Sequence, residues 1–331
     1  MGNASFWGAP IIERTPQKQN GAAHRFRCSK FSKGSVKMSG PEYGTTLPAY
    51  KRLQKLDHTW QNFLLKVPTQ ERWLLLQTVY TSATRRALLS TLPLTDGGYV
   101  ADLGCGYGAL VFDLASLYPV HIWGLDRNHE AIHACRSFEA LARQAGALHP
   151  SSVLEFTVAD VTTFELPYPM DVICARFVLQ HLREPEKAVL QAARNLRTGG
   201  ILCLIDVDDG LSLAYPPDPP ALSTVKTKLI ELQFTQGGDR TVGRKLASWV
   251  DQAGMDVVQT LVLPTSRYQS TPDKRTKHVL LAQWQAKRKQ LIESGIVDEV
   301  QFQKLMDQAN LEETGPQFNI QTEIAIIARK A

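Results

Sequence analysis

The chain has 331 residues, 44% of them hydrophobic and 21% charged, with a formal net charge of +5. That balance supports a full core and excludes a wholly disordered chain, and no run approaches the roughly 18 apolar residues of a membrane helix. The five cysteines (Cys28, Cys105, Cys135, Cys174 and Cys203) show no paired spacing, which excludes a disulfide scaffold and predicts reduced thiols in a cytoplasmic setting.

The charge is unevenly placed. Residues 1–37 hold seven Lys and Arg against Glu13 alone, so the remaining chain is close to −1. A basic prefix without apolar periodicity predicts a disordered arm over 1–40 that is dispensable for chemistry. Gly2 begins a partial myristoylation pattern, but Phe6 occupies the position that wants Ser or Thr. A neutral body argues against nucleic acid.

Residues 41–95 are expected to form a helical cap. Leu53, Leu56, Trp60, Phe63 and Leu64 fall on one stripe that ends near Pro68. Thr69 is the expected N-cap of a second helix carrying Glu71, Arg72, Trp73, Leu74, Leu76, Gln77 and Tyr80.

Tyr99 to Asp126 is the stretch around which the rest is ordered. Tyr99–Leu103 is a short apolar run that predicts a strand, and Gly104-Cys-Gly-Tyr-Gly108 follows as a turn. Leu110, Val111, Leu114, Ala115 and Leu117 then repeat at helical spacing, before a second strand over His121–Leu125 that ends in Asp126. Glycines in such a turn let the backbone approach a ligand where a Cβ would collide. The helix behind it offers unpaired N–H groups to an anionic group. An acid at the tip of the second strand can accept both hydroxyls of a ribose, so the stretch describes a nucleoside-bearing ligand laid across the carboxyl ends of a parallel sheet.

Two ligand classes compete. A dinucleotide fingerprint wants G-x-G-x-x-G, whose third glycine would fall at Ala109. The spacing here is D-x-G-x-G-x-G, with Asp102 two residues ahead of Gly104, and it resembles the first motif of class I S-adenosylmethionine-dependent methyltransferases of the bacterial small-molecule type. That resemblance implies that Asp102 supports the methionine amino group, that Gly104 and Gly106 pass under the methionine part, and that Asp126 holds the ribose, with Cys105 and Arg127 also in the cofactor-binding set. It also implies that Gln77, in a lead-in helix, reaches the carboxylate end of the cofactor.

Asn128 is the expected cap of a helix reaching about Gly146, and Val153–Val158 reads as a third strand. The carboxylate just past it, Asp160, can take the exocyclic amine of adenine while the N–H of Val161 meets a ring nitrogen; the resemblance assigns both roles. Met170–Ala175 is the expected fourth strand, and Arg176-Phe-Val-Leu-Gln-His181 follows it. With a helix over 184–196, Arg197-Thr-Gly-Gly200 and a fifth strand over Ile201–Asp206, this run resembles the fourth and fifth motifs of the same family. Arg176 is included in the cofactor set on that ground. His181 is a candidate general base by its chemistry, with Asp208 and Asp209 as further catalytic candidates. The Asp206, Asp208 and Asp209 group lacks a second acidic cluster, so no metal is expected and a solvated, acceptor-facing loop is.

The remaining elements are helices over 222–234 and up to about Gly254, strands over 255–263 and 318–328, and a charged helical segment over 274–311 that is too long for a hairpin loop. It is expected to cover the acceptor side or to form a homodimer surface. The fold predicted is α/β, a seven-stranded Rossmann-like sheet, parallel with one antiparallel edge strand. A domain over 96–331 would carry helical insertions near 211–250 and 272–313. The function implied is methyl transfer from S-adenosyl-L-methionine to a small organic acceptor in an enclosed, largely apolar pocket, with no nucleic-acid or membrane partner. The alternatives are a protein side-chain methyltransferase and a non-catalytic cofactor-binding or assembly protein on the same fold.

Overall fold

The computed structural model describes residues 47–64, 75, 78–79, 81–270, 274–313 and 315–331. The basic arm over 1–40, Thr69, Glu71–Leu74, Leu76, Gln77 and Tyr80 lie outside the described residues.

Eight strands form one sheet. They are β1 (Tyr99–Leu103), β2 (His121–Asp126), β3 (Val153–Val158), β4 (Met170–Arg176), β5 (Leu196–Val207), β6 (Leu213–Tyr215), β7 (Met255–Gln269) and β8 (Gln317–Lys330). The order is β3-β2-β1-β4-β5-β8, and both β6 and β7 also pair with β8. The first five are parallel neighbours, whereas β8 runs against all three of its partners. Parallel strands covered on both faces need apolar residues at nearly every position, which is what Val100–Leu103 and Ile201–Val207 supply, all of them buried.

The count exceeds the expected seven because of β6. Strand β5 pairs with Glu323–Arg329, the chain leaves in a short turn over Asp209–Leu211, and Leu213–Tyr215 rejoins β8 at Phe318–Ile320. Pro216 and Pro217 follow at once and end the pairing, which is why three residues escaped notice as a strand. The late pair is also longer than expected: β7 and β8 pair from Met255–Lys330 to Gln269–Gln317, with a register shift between Val257 and Gln259, well past the end of β5.

Two cores lie on the two faces of the sheet. On one side pack α1 (Leu47–Leu64), α2 (Ser82–Leu89), α3 (Ala109–Leu117) and α4 (His129–Gln144). The apolar stripe of α1 is buried there: Trp60 stacks on Phe138 of α4 at 3.6 Å and meets Phe112 of α3 edge-on at 5.7 Å. The α1 helix is therefore a core helix behind the glycine turn. On the other face lie α5 (Pro185–Asn195) and α7 (Leu246–Gln252).

A third core belongs to helices alone. The elements α6 (Pro220–Thr235), α8 (Lys274–Ala286), α9 (Arg288–Glu293) and α10 (Glu299–Leu311) close around Trp284 and Phe302, whose rings stack at 4.9 Å. Glu312 fastens this bundle by accepting the N–H groups of Ala221 and Leu222 at the start of α6. Two insertions distant in sequence thus share one core. Among the described residues no helix is long and apolar enough to cross a membrane.

Candidate functional site

The glycine turn folds as it does because two of its positions exclude a side chain. Gly108 has φ +81 and a Cβ there would lie 2.6 Å from Phe112; at Gly104, φ +65, it would lie 2.5 Å from Val178. Gly106 differs, with φ +53 and nothing within 4 Å of a built Cβ. The turn is packed from below at its ends and open at its middle.

Carboxylates stand at or just past the ends of three adjacent strands, β1, β2 and β3. Asp126 holds the turn itself, accepting the N–H of Gly106 at 2.8 Å through Oδ2 and that of Asn128 at 2.9 Å through Oδ1. Asp102, at the end of β1, is 2% exposed. Burial, reinforced by the charge of Asp126, raises its pKa to about 8, against the opposing pull of Arg85 and Arg176. Asp160 lies just past β3 and accepts the Thr162 hydroxyl at 2.6 Å and its N–H at 2.7 Å. Those bonds, helped by Arg127, hold its pKa below the usual carboxylate value. Val161 is buried beside it, and Cys105 is buried in the turn with its thiol pKa driven up, first by its contact with Cys135.

The cations at this end are tightly committed. Arg176 forks onto Glu323 of β8 at 2.9 and 2.7 Å and lies 3.8 Å over the ring of Phe177, which has a left-handed backbone at φ 59. Arg85 of α2, 2% exposed, binds Asp113 of α3 at 2.7 Å, the carbonyl of Thr78 at 3.0 Å and the hydroxyl of Thr81 at 3.2 Å. Asp113 is fully buried and also accepts Arg86 at 2.8 Å, which reaches Asp57 on α1. Sequence reading missed Arg85 and Glu323. The available signal was Asp113, the one acid inside the otherwise apolar ALVFDLASL helix, which requires a cationic partner when buried.

Of the acidic group at the end of β5, Asp206 and Asp208 are buried, whereas Asp209 is partly exposed and Gly210–Leu213 are exposed. Asp206 and Asp208 are each 1% exposed. Asp206 accepts the backbone N–H groups of Val207 and Gln180, and burial raises its pKa to about 7. Asp208 is forked by Arg244 at 2.7 and 2.6 Å, and Asp209 by Arg240 at 2.9 and 2.9 Å. Each of the three carboxylates is engaged separately, Asp206 by backbone N–H groups and Asp208 and Asp209 by arginines. Gln77, the remaining cofactor candidate, lies outside the described residues.

His181 lies in the short turn Leu179–His181 after β4. Its ring lines a cleft of about 310 Å³ together with Arg127, Asp160, Arg183 and Gln233. Its Nδ1 is 3.3 Å from Nε2 of Gln233 on α6. Burial together with Arg240, Arg127 and Lys287 lowers its pKa to about 4, so it is neutral at physiological pH. The helical bundle is thereby located: α6 faces the end of the site that carries Arg127 and Asp160.

A family model described as a methyltransferase domain matches residues 94–259. The chain is 30% identical over 187 residues to an uncharacterized 37.1 kDa protein in transposon TN4556 of Streptomyces fradiae, covering 55% of this chain and 50% of that protein. It is 31% identical over 120 residues to trans-aconitate 2-methyltransferase of Azoarcus sp. (strain BH72), covering 36% and 43%. With 27-O-demethylrifamycin SV methyltransferase of Amycolatopsis mediterranei the identity is 30% over 154 residues, covering 46% and 53%. The aligned part spans about half or less of these relatives.

Proposed function

The chain belongs to the class I S-adenosylmethionine-dependent methyltransferases, and from that membership we propose that it transfers a methyl group to a small organic acceptor. The observation that carries this reading is the row of Asp102, Asp126 and Asp160 at the ends of β1, β2 and β3, around a glycine turn left open at Gly106. That row fits a cationic amino acid joined to a nucleoside: Asp102 to the ammonium, Asp126 to the ribose hydroxyls, Asp160 and Val161 to adenine. The open middle of the turn fits a group that must lie against backbone.

The bound cofactor would supply an electrophilic methyl on a sulfonium. The protein's part is to hold the acceptor in line and to exclude water. Asp126 serves twice, since the oxygens it offers the ribose also fix the turn. His181 keeps its unprotonated nitrogen toward Gln233, so we assign it to binding and not to proton removal. Asp208 and Asp209 we assign to holding loops, each being taken up by an arginine. Relatives named for trans-aconitate and for 27-O-demethylrifamycin SV support a small acceptor over a protein side chain.

Titration calorimetry with S-adenosylmethionine tests the donor site. Asp126→Ala removes charge-assisted hydrogen bonds and is expected to weaken binding by about 1.5–3 kcal/mol. Equal affinity in the two proteins would sink the assignment.

A further inference from the structure

The cleft beside Asp160 has a chemistry of its own. Arg240 Nη1 donates to Oε1 of Gln180 at 2.6 Å, and a guanidinium only donates, which fixes that amide. The main-chain carbonyl of Gln180 accepts Nε2 of Gln233 at 2.9 Å, which fixes the second amide with its NH2 toward His181. Nδ1 of His181 lies 3.3 Å from that NH2, which also reaches Oε1 of Gln180 at 3.4 Å; because an NH2 only donates, the pairing favours an accepting Nδ1 with the ring proton on Nε2. The chain of partners leaves the histidine as a neutral donor on the cleft wall.

The acidic liners are largely satisfied by their neighbours. One oxygen of Asp160 takes both bonds from Thr162, and Glu184 pairs with Lys187. The basic liners are not. Arg127 makes no ion pair among the described residues. Arg183 spends only Nε, on the carbonyl of Gln236 at 3.2 Å, while its stem lies against Gly237, where a Cβ would come within 2.2 Å of it. That glycine lets the Arg183 stem lie over the cleft. The cleft holds about 310 Å³.

We propose that this cleft is an anion subsite, in which Arg183, Arg127 and the Nε2–H of His181 take a carboxylate or phosphate group carried by the acceptor. The proposal rests on the methyl-transfer reading for the word acceptor. The His181 turn follows directly from β4, so the cleft and the acceptor side share a wall. Arg127, His181 and Arg183 are all exposed to the cleft, and N–H donors and guanidinium forks are the usual recognition of either oxyanion.

The test titrates inorganic phosphate and citrate into the full chain at low ionic strength, with and without S-adenosylhomocysteine. At least one anion should bind saturably at one equivalent, and Arg183→Gln should weaken it tenfold or more while S-adenosylhomocysteine affinity stays within twofold. Binding of phosphate alone would assign a phosphorylated acceptor, and binding of citrate alone a carboxylate one. If neither anion saturates, or if Arg183→Gln binds like wild type, the subsite is overturned. Failure of S-adenosylhomocysteine to bind would instead strike the methyl-transfer reading, and the anion result from the titration without it would still stand.

Discussion

Asp113→Asn is expected to cost about 3–5 kcal/mol of folding stability, the range for removing one partner of a buried ion pair. Asp113 has no exposed surface and holds two guanidinium groups, Arg85 at 2.7 Å and Arg86 at 2.8 Å. Asparagine keeps the volume but not the charge, which leaves Arg85 cationic in a site where burial already lowers its pKa. The network also ties α1, through Asp57 and Arg86, and α2 to the glycine helix, so the loss should spread through the whole cap-side core. Urea denaturation followed by circular dichroism measures it. The double variant Arg85→Met with Asp113→Leu should recover much of the loss, because apolar pairs often replace buried ion pairs without penalty. A single variant within about 1 kcal/mol of wild type would mean that water reaches the pair.

The same network marks where sequence reading stopped. Local signals were sufficient for β1, the glycine turn, β2, Asp126 and Asp160, because strand period, glycine clusters and strand-end acids all act within about 30 residues. Arg85 gave no such signal. In Ser82-Ala-Thr-Arg-Arg-Ala-Leu-Leu89 two adjacent arginines look like one solvated pair, and only the long-range docking of α2 on α3 buries one of them. The acids after β5 misled for a similar reason: their partners Arg240 and Arg244 stand more than 30 residues later. The late helices were legible as helices but not as a bundle. Their core joins α6 to α8–α10 across β7, and the resulting position beside Arg127 and Asp160 follows from tertiary contacts alone.

Donor binding should release close to one proton at pH 7, and Asp102 should be its source. In the folded protein without ligand, burial and Asp126 hold the Asp102 pKa at about 8, so about nine-tenths of it carries a proton at pH 7. An unfolded aspartate titrates near 3.9. The raised value therefore favours folding most at low pH, and the contribution is lost as pH rises through 8. Binding reverses the preference. A cationic ammonium against this carboxylate favours the ionised form, so the proton leaves as the donor enters. Affinity for S-adenosylmethionine should rise by up to about tenfold per pH unit between pH 6 and 8. It should peak near pH 8 and fall above it, because Asp102 is then ionised in the free protein and the α-amino group itself loses its proton near pH 7.7–8.0. Calorimetry at pH 7 in buffers of different ionisation enthalpy counts the proton directly. In Asp102→Asn the count should fall to near zero and the affinity should lose its slope between pH 6 and 8, because the amide has no proton to give up and no charge to offer. A flat pH profile in the wild type, or a proton still released by Asp102→Asn, would place the ammonium elsewhere in the site.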